Sequence, residues 1–303
     1  MTDSQPKSID RSRWLLISLI FAVTVGSVMY RLIVREGMEQ TSLLFVGIPA
    51  VLAIILALTP KAKTALGAIV KGLTVALLLS APLLGEGFIC IVMASPIFYG
   101  VGVLIGVLMD ESRKHRQTTL SCLVLVLLPM SIEGSSPRLS FNRQETVQSS
   151  QIVTASAQEV ELAMSRSPRT DLQLPFYLRM GFPRPTDARG EGLQVGASRI
   201  IHFAGGEGHP GDLCLTVEKS SPGYVRFRAI SDHSKVAHWL DWKSSEVEWT
   251  ALDLHHTRVT WKLLFDRRLD PAWYFRPWER YAARLSAEYL IGANATPAGT
   301  EAQ

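Results

Sequence analysis

From Trp14 to Ile132 the chain is almost wholly apolar and carries few charges, and this run constrains its fold more than any other feature. A bilayer core about 30 Å thick takes up roughly 20 apolar residues per helix, so the run must be divided into spans. Residues 14–30 form a first candidate, bounded by Arg11 and Arg13 before it and Arg31 after it. Residues 43–59 form a second, closed by Pro60 and Lys61. The next run is too long for one span and breaks at Gly85-Glu86-Gly87, which predicts a hairpin of two helices over 65–84 and 87–109. Residues 118–132 supply a fifth, shorter span. The first span has a basic flank like that of a signal peptide but lacks a small-x-small cleavage site, so it is expected to be retained.

Orientation follows from the distribution of Lys and Arg in short loops. With residues 1–13 as a cytoplasmic tail, that side holds eight basic residues and the opposite side four. An odd number of spans then exports the second half of the chain. Ionisable groups inside the spans are few. Lys71 sits near a helix end, where it can snorkel, and Glu86 sits in the expected turn. Gly100, Gly102 and Gly106 suit close helix packing. The absence of mid-membrane polar groups favours an anchor or scaffold over a transporter.

The second half is of a different kind. The net charge of +4 is mild, and no Lys/Arg-dense patch interleaved with aromatics points to nucleic acid. Cys90, Cys122 and Cys214 lie in apolar surroundings, without disulfide or metal-ligand spacing. Residues 133–143 are rich in turn formers and read as a linker, and residues 293–303 as a disordered tail. Between them, QETVQSSQIVTA is strand-like, and Ser156 followed by Glu159 is a capping-box signature for a helix start. SRIIHFA, DLCLTVEK, YVRFRAIS, EVEWTA and RVTWKLLF then follow with turns between them. Their period-two alternation predicts an antiparallel sheet covered on one face.

The cover is the segment from Asp270 to Gly292. Tyr274, Phe275, Trp278, Tyr281, Ala282, Leu285 and Tyr289 fall within about 120° of a helical wheel, while Arg276, Arg280 and Arg284 line the other side. That arginine row could not cross a bilayer core. The segment is expected to be an amphipathic helix against the sheet, with its arginines solvated.

This order of a strand, two short helices, antiparallel strands and a long last helix resembles the START-like, helix-grip fold of the SRPBCC superfamily. It is most similar to members grouped with polyketide cyclases and dehydrases. The resemblance covers roughly residues 144–292 and rests on ETVQSSQIVTASAQEVELAM, YVRFRAIS, TRVTWKLLF and PWERYAARLSAEYL. Glu161 departs from it, since many members carry an aromatic there. The expected fold class is therefore an α-helical membrane bundle followed by an α+β domain. The resemblance implies a cavity between sheet and last helix that holds a lipid or another hydrophobic small molecule.

Phe227, Trp249, Trp261, Trp278, Tyr281 and Tyr289 are the candidate lining of that cavity, with an ordinary packed core as the alternative. If the cavity is catalytic, His202, His238 and Glu248 are the nearest acid–base candidates on strands. GGEGHPG contains a G-x-G-x-x-G spacing, but a proline and a strand follow it, so it reads as a hairpin loop and not a dinucleotide site. No metal site and no cofactor are expected. Three functions stay open: hydrophobic-ligand binding at the bilayer, a cyclase- or dehydratase-type enzyme, and a non-catalytic partner of another membrane protein.

Overall fold

The computed structural model describes residues 62–84, 88–112, 133, 139–204 and 210–296, with positions 18, 51 and 52. The expected span over 118–132, nearly all of those over 14–30 and 43–59, and the tail beyond 296 lie outside the described residues. The chain divides into two compact units, Met1–Leu127 and Leu128–Gln303.

In the first unit, α1 (Ala65–Leu84) and α2 (Phe88–Ser112) flank the expected break. They pack against each other as an antiparallel pair. Asp110, near the end of α2, accepts from the Ala65 and Leu66 amides at 2.8 and 3.1 Å, satisfying donors that a helix start leaves open. Thr74 and Tyr99 share a 2.7 Å hydroxyl hydrogen bond. A Cβ at Gly106 would lie 2.6 Å from Leu66 Cα, and one at Gly102 would collide with the Leu73 side chain. These two glycines set the close approach, whereas Gly100 faces open space. α2 runs unbroken through Pro96. Among the described residues, Ile91–Glu111 is the one helix long and apolar enough to cross a membrane, and Ala65–Ser80 is a shorter apolar helix.

The second unit is built on a seven-stranded antiparallel sheet. Its strands are β1 (Gln144–Val153), β2 (Pro185–Arg189), β3 (Ser198–Phe203), β4 (Gly211–Ser221), β5 (Tyr224–Asp232), β6 (Leu240–Ala251) and β7 (Thr257–Arg267). The order is β1-β7-β6-β5-β4-β3-β2, so the first strand closes beside the last. β2 is an element the alternation did not reveal. Pro185 opens it, and five residues with charges at both Asp187 and Arg189 show no alternation to read.

Local chemistry explains the connections. In α3 (Ala157–Ser165), the Ser156 hydroxyl accepts from the Glu159 amide, and the Glu159 carboxylate accepts from the Ser156 amide at 2.8 Å. This is the reciprocal cap that the sequence pattern announces. Gly223 turns β4 into β5 at φ +75°, a conformation that side chains with a Cβ resist. Gly211 opens β4 where its backbone meets the His233 carbonyl too closely for any Cβ.

The last helix, α5 (Ala272–Ala295), packs on β1, β7 and α3, and the curled sheet grips it. The buried core joins Val217, Val225, Phe227, Val247, Val259 and Trp261 of the sheet to Val160 and Met164 of α3 and Ala287 and Ile291 of α5. The face of α5 that packs inward differs from the expected one. Glu279, Ala282, Ala283, Ala287, Ile291 and Asn294 are buried, while Trp278 is 38% and Tyr281 50% exposed. Leu285 is half-buried. The buried face lies roughly 140° around the helix from the aromatic arc, at 100° per residue. The cause is volume. The sheet supplies the bulk with Trp261, Phe227 and Leu263, which leaves room for alanines and not for indoles at the point of closest approach.

The arginine row is also corrected. Glu145 on β1 is only 3% exposed, and Arg276 Nε and Arg280 Nη1 each lie 2.6 Å from its carboxylate oxygens. Two of the three arginines are therefore a clamp that fastens the helix to the edge strand. Arg284 pairs along the helix with Glu288 at 3.5 Å.

Candidate functional site

Between the concave face of the sheet and α5 lies a cavity of about 150 Å³, partly open to solvent. Inward-facing residues of every strand from β2 to β7 contribute to its wall, and Ala282, Ser286, Tyr289 and Asn294 of α5 close it. The short helix α4 (Phe176–Arg179) and the segment after it supply Leu178 and Phe182. Phe182 stacks edge-on against Trp239 at 5.1 Å, and Tyr177 bridges Phe182 and Tyr281 at 5.4 and 5.1 Å. The Tyr177 hydroxyl is pushed up to about 12 by burial, with Tyr281 and Tyr274 nearby, so it stays a neutral donor.

Of the six aromatics proposed for the lining, Phe227, Trp261 and Tyr289 stand in the cavity wall. Trp249 is buried at 5% exposure in the core but outside the wall. Trp278 and Tyr281 are on the outer side of α5, as the rotated helix requires. Trp242, which was not among the six, does line the cavity and packs edge-on against Phe265 at 5.7 Å. Its signal was present in the LDWKSS segment, one turn-like bulge before the regular alternation that drew attention to Trp249.

The acid–base candidates are elsewhere. His202 is about half exposed and sits 2.5 Å from Asp212 across the β3–β4 ladder. His238 and Glu248 are exposed as well. His256 pairs with Asp253 in the turn between β6 and β7. Among the described residues, the cavity wall holds no histidine and no carboxylate. Nor does any group of three or more His, Cys, Asp or Glu there stand ready to hold a metal ion.

One charged group in the wall was not foreseen. Arg199 on β3 is 2% exposed and alternates inward together with Ile201. The Trp261 indole, by contrast, is satisfied by the Ser245 hydroxyl at 2.6 Å. The Tyr289 hydroxyl is buried without a hydrogen-bond partner, and burial raises its pKa. The signal for Arg199 was a charge on the apolar register of SRIIHF, where Arg199, Ile201 and Phe203 share one face.

At one end of the domain, a second polar cluster joins β7 to α5. Arg267 is 1% exposed; its guanidinium donates to the Leu269 carbonyl at 2.7 Å and reaches Asp270 at 3.4 Å and Glu133 at 3.9 Å. Glu133 also accepts from the Ala272 amide at 3.0 Å, and Asp270 pairs with Arg143 at 2.5 Å. Glu279 is 3% exposed, and burial pushes its carboxyl up to about 7 against the Leu269 amide and the nearby Arg267. These groups hold the helix start and lie outside the cavity wall.

No family model and no curated protein matches the chain. Solved structures are similar to its C-terminal half. The ZhuI aromatase/cyclase from Streptomyces sp. R1128 is 14% identical, covers 49% of this chain and 92% of its own, and has a TM-score of 0.33. A START superfamily protein from Mycobacterium smegmatis is 12% identical over 48% of this chain and 94% of its own, with a TM-score of 0.34. The major latex-like protein 151 of Panax ginseng is 12% identical over 49% and 99%, with a TM-score of 0.30. It is the strand order and the helix contacts of this chain, rather than these matches, that establish its helix-grip architecture.

Proposed function

We propose that this protein is a membrane-anchored START-like domain that binds a lipid or other hydrophobic small molecule in the cavity between sheet and last helix. The observation that carries this reading is the wall itself, which is apolar and aromatic and has a few polar groups at defined places. That is the composition of a ligand site. A dry apolar cavity of about 150 Å³ is known to admit a benzene-sized guest, so a small ring or part of an acyl chain fits without rearrangement. Cyclase-type chemistry needs an acid or base within reach of the substrate. The described wall offers no histidine and no carboxylate for that role, which favours binding over catalysis. The apolar first half serves as the anchor, with residues 1–13 in the cytoplasm and the START-like domain on the opposite side.

Native mass spectrometry of the full chain, released gently from detergent, tests the binding reading. The expected result is a bound hydrophobic species that is lost in Ala229→Trp, which fills the cavity from β5. If wild type and Ala229→Trp carry the same adducts, the cavity is not the site. A reporter active only outside the cytoplasm, fused after Gln303, is expected to be active. Activity of a cytoplasm-only reporter at that position would overturn the span count or its orientation.

A further inference from the structure

Two cations are buried among the described residues of the domain, Arg199 and Arg267. Arg267 has Asp270 and Glu133, but Arg199 has none among the described residues. Its Nη1 donates to Asn294 Oδ1 at 3.1 Å, and its Nη2 donates to the Met164 carbonyl. The Phe227 ring lies 4.7 Å from its Cζ. These are neutral partners, and Nε is left with no acceptor at all. Burial lowers the guanidinium pKa to about 10, so the group remains charged at neutral pH. A buried charge without a counter-charge is costly, and proteins retain one where something else supplies the missing partner. The same wall presents the Tyr289 hydroxyl, a second buried donor without a partner. Two unused donors in an otherwise apolar cavity call for an acceptor that arrives with the ligand.

We infer that the ligand is an anionic amphiphile: an apolar body that fills the cavity and a single carboxylate that takes up the Arg199 guanidinium and the Tyr289 hydroxyl. This deepens the binding reading and rests on it. A guanidinium suits this role because its planar fork matches a carboxylate, and its weak hydration lowers the cost of keeping it dry. Asn294 and the Met164 carbonyl orient the fork before the ligand arrives, so little side-chain entropy is lost on binding. A neutral alcohol of equal length gains the apolar contacts and one hydroxyl acceptor but brings no charge to the guanidinium.

The test compares octanoate with octan-1-ol, binding to the full chain in phosphatidylcholine nanodiscs, by calorimetric titration with empty discs subtracted. Wild type is expected to bind octanoate at least about tenfold more tightly, the range of a hydrogen bond to a charged group. Arg199→Met is expected to lose the preference for octanoate. Equal affinities in wild type, or a preference that survives Arg199→Met, would overturn the inference while leaving hydrophobic binding intact. If neither compound binds wild type, the cavity-binding reading falls and the inference falls with it. Should Arg199→Met fail to fold, Tyr289→Phe decides, since it keeps the ring and removes only the hydroxyl. A severalfold loss of octanoate affinity supports the assignment, and unchanged affinity refutes it.

Discussion

Glu279 places a titratable strain under the start of the last helix, and Glu279→Gln measures it. The carboxyl is pushed up to about 7 from an ordinary value of 4.5, mainly by burial. In the unfolded chain it ionises near the ordinary value, so between these two pH values the folded state binds the extra proton. Stability therefore falls as pH rises through this window, is unaffected by Glu279 below it, and carries the whole penalty above it. A shift of this size corresponds to at most about 3 kcal/mol. Gln has the shape of the protonated acid and still accepts from the Leu269 amide, which lies 3.3 Å from the carboxylate. The variant should thus be more stable than wild type by about 1–3 kcal/mol at pH 8 and nearly equal to it at pH 4. For a domain of this size, that is a rise in Tm of about 3–10 °C. Six of the seven tryptophans lie between positions 239 and 278, so tryptophan fluorescence of the full chain in detergent reports the melting of this unit. The competing effect is attraction to Arg267. If Glu279→Gln melts lower than wild type at pH 8, the ion pair outweighs burial and the reasoning fails.

Two further outcomes follow from the same end of the domain. Replacing Arg276 and Arg280 together by Ala should cost about 2–3 kcal/mol, because Glu145 is left buried without a counter-charge; partial exposure of the arginines keeps the figure at the low end. Adding Glu145→Gln to that variant should recover part of the loss, and a double variant as stable as wild type in denaturant would show that the clamp is idle. Residues 133–296 expressed alone should fold cooperatively, whereas a start at residue 140 removes Glu133 from Arg267 and the Ala272 amide and should lower the melting temperature. Equal melting of the two fragments would show that the Glu133 contacts contribute nothing.

Much of the architecture was legible in residue order. Period-two alternation marks β3 to β7 because each strand has one face in the core and one in water, and Val225 and Phe227 are buried where it says. The Ser156–Glu159 cap is local chemistry and formed as written. α1 ends at Leu84 and α2 begins at Phe88, close to the helix bounds read from the apolar run. Rotation of α5 was not legible, because a helical wheel weighs hydrophobicity and knows nothing of the space available. With Trp261 and Phe227 on the concave face, Ala282, Ala283, Ala287 and Ile291 form the buried side of the helix, and Trp278 and Tyr281 turned outward. The partners of Glu145 lie more than a hundred residues along the chain, and Arg199, though on the apolar register of β3, meets Asn294 and Met164 only through the tertiary fold. Amino-acid order determined which segments became strands and helices, since that choice is made by neighbours a few residues apart. Tertiary structure alone decided which charges were buried and which donors were left open, because volume and long-range pairing exist only after the sheet has curled around the helix.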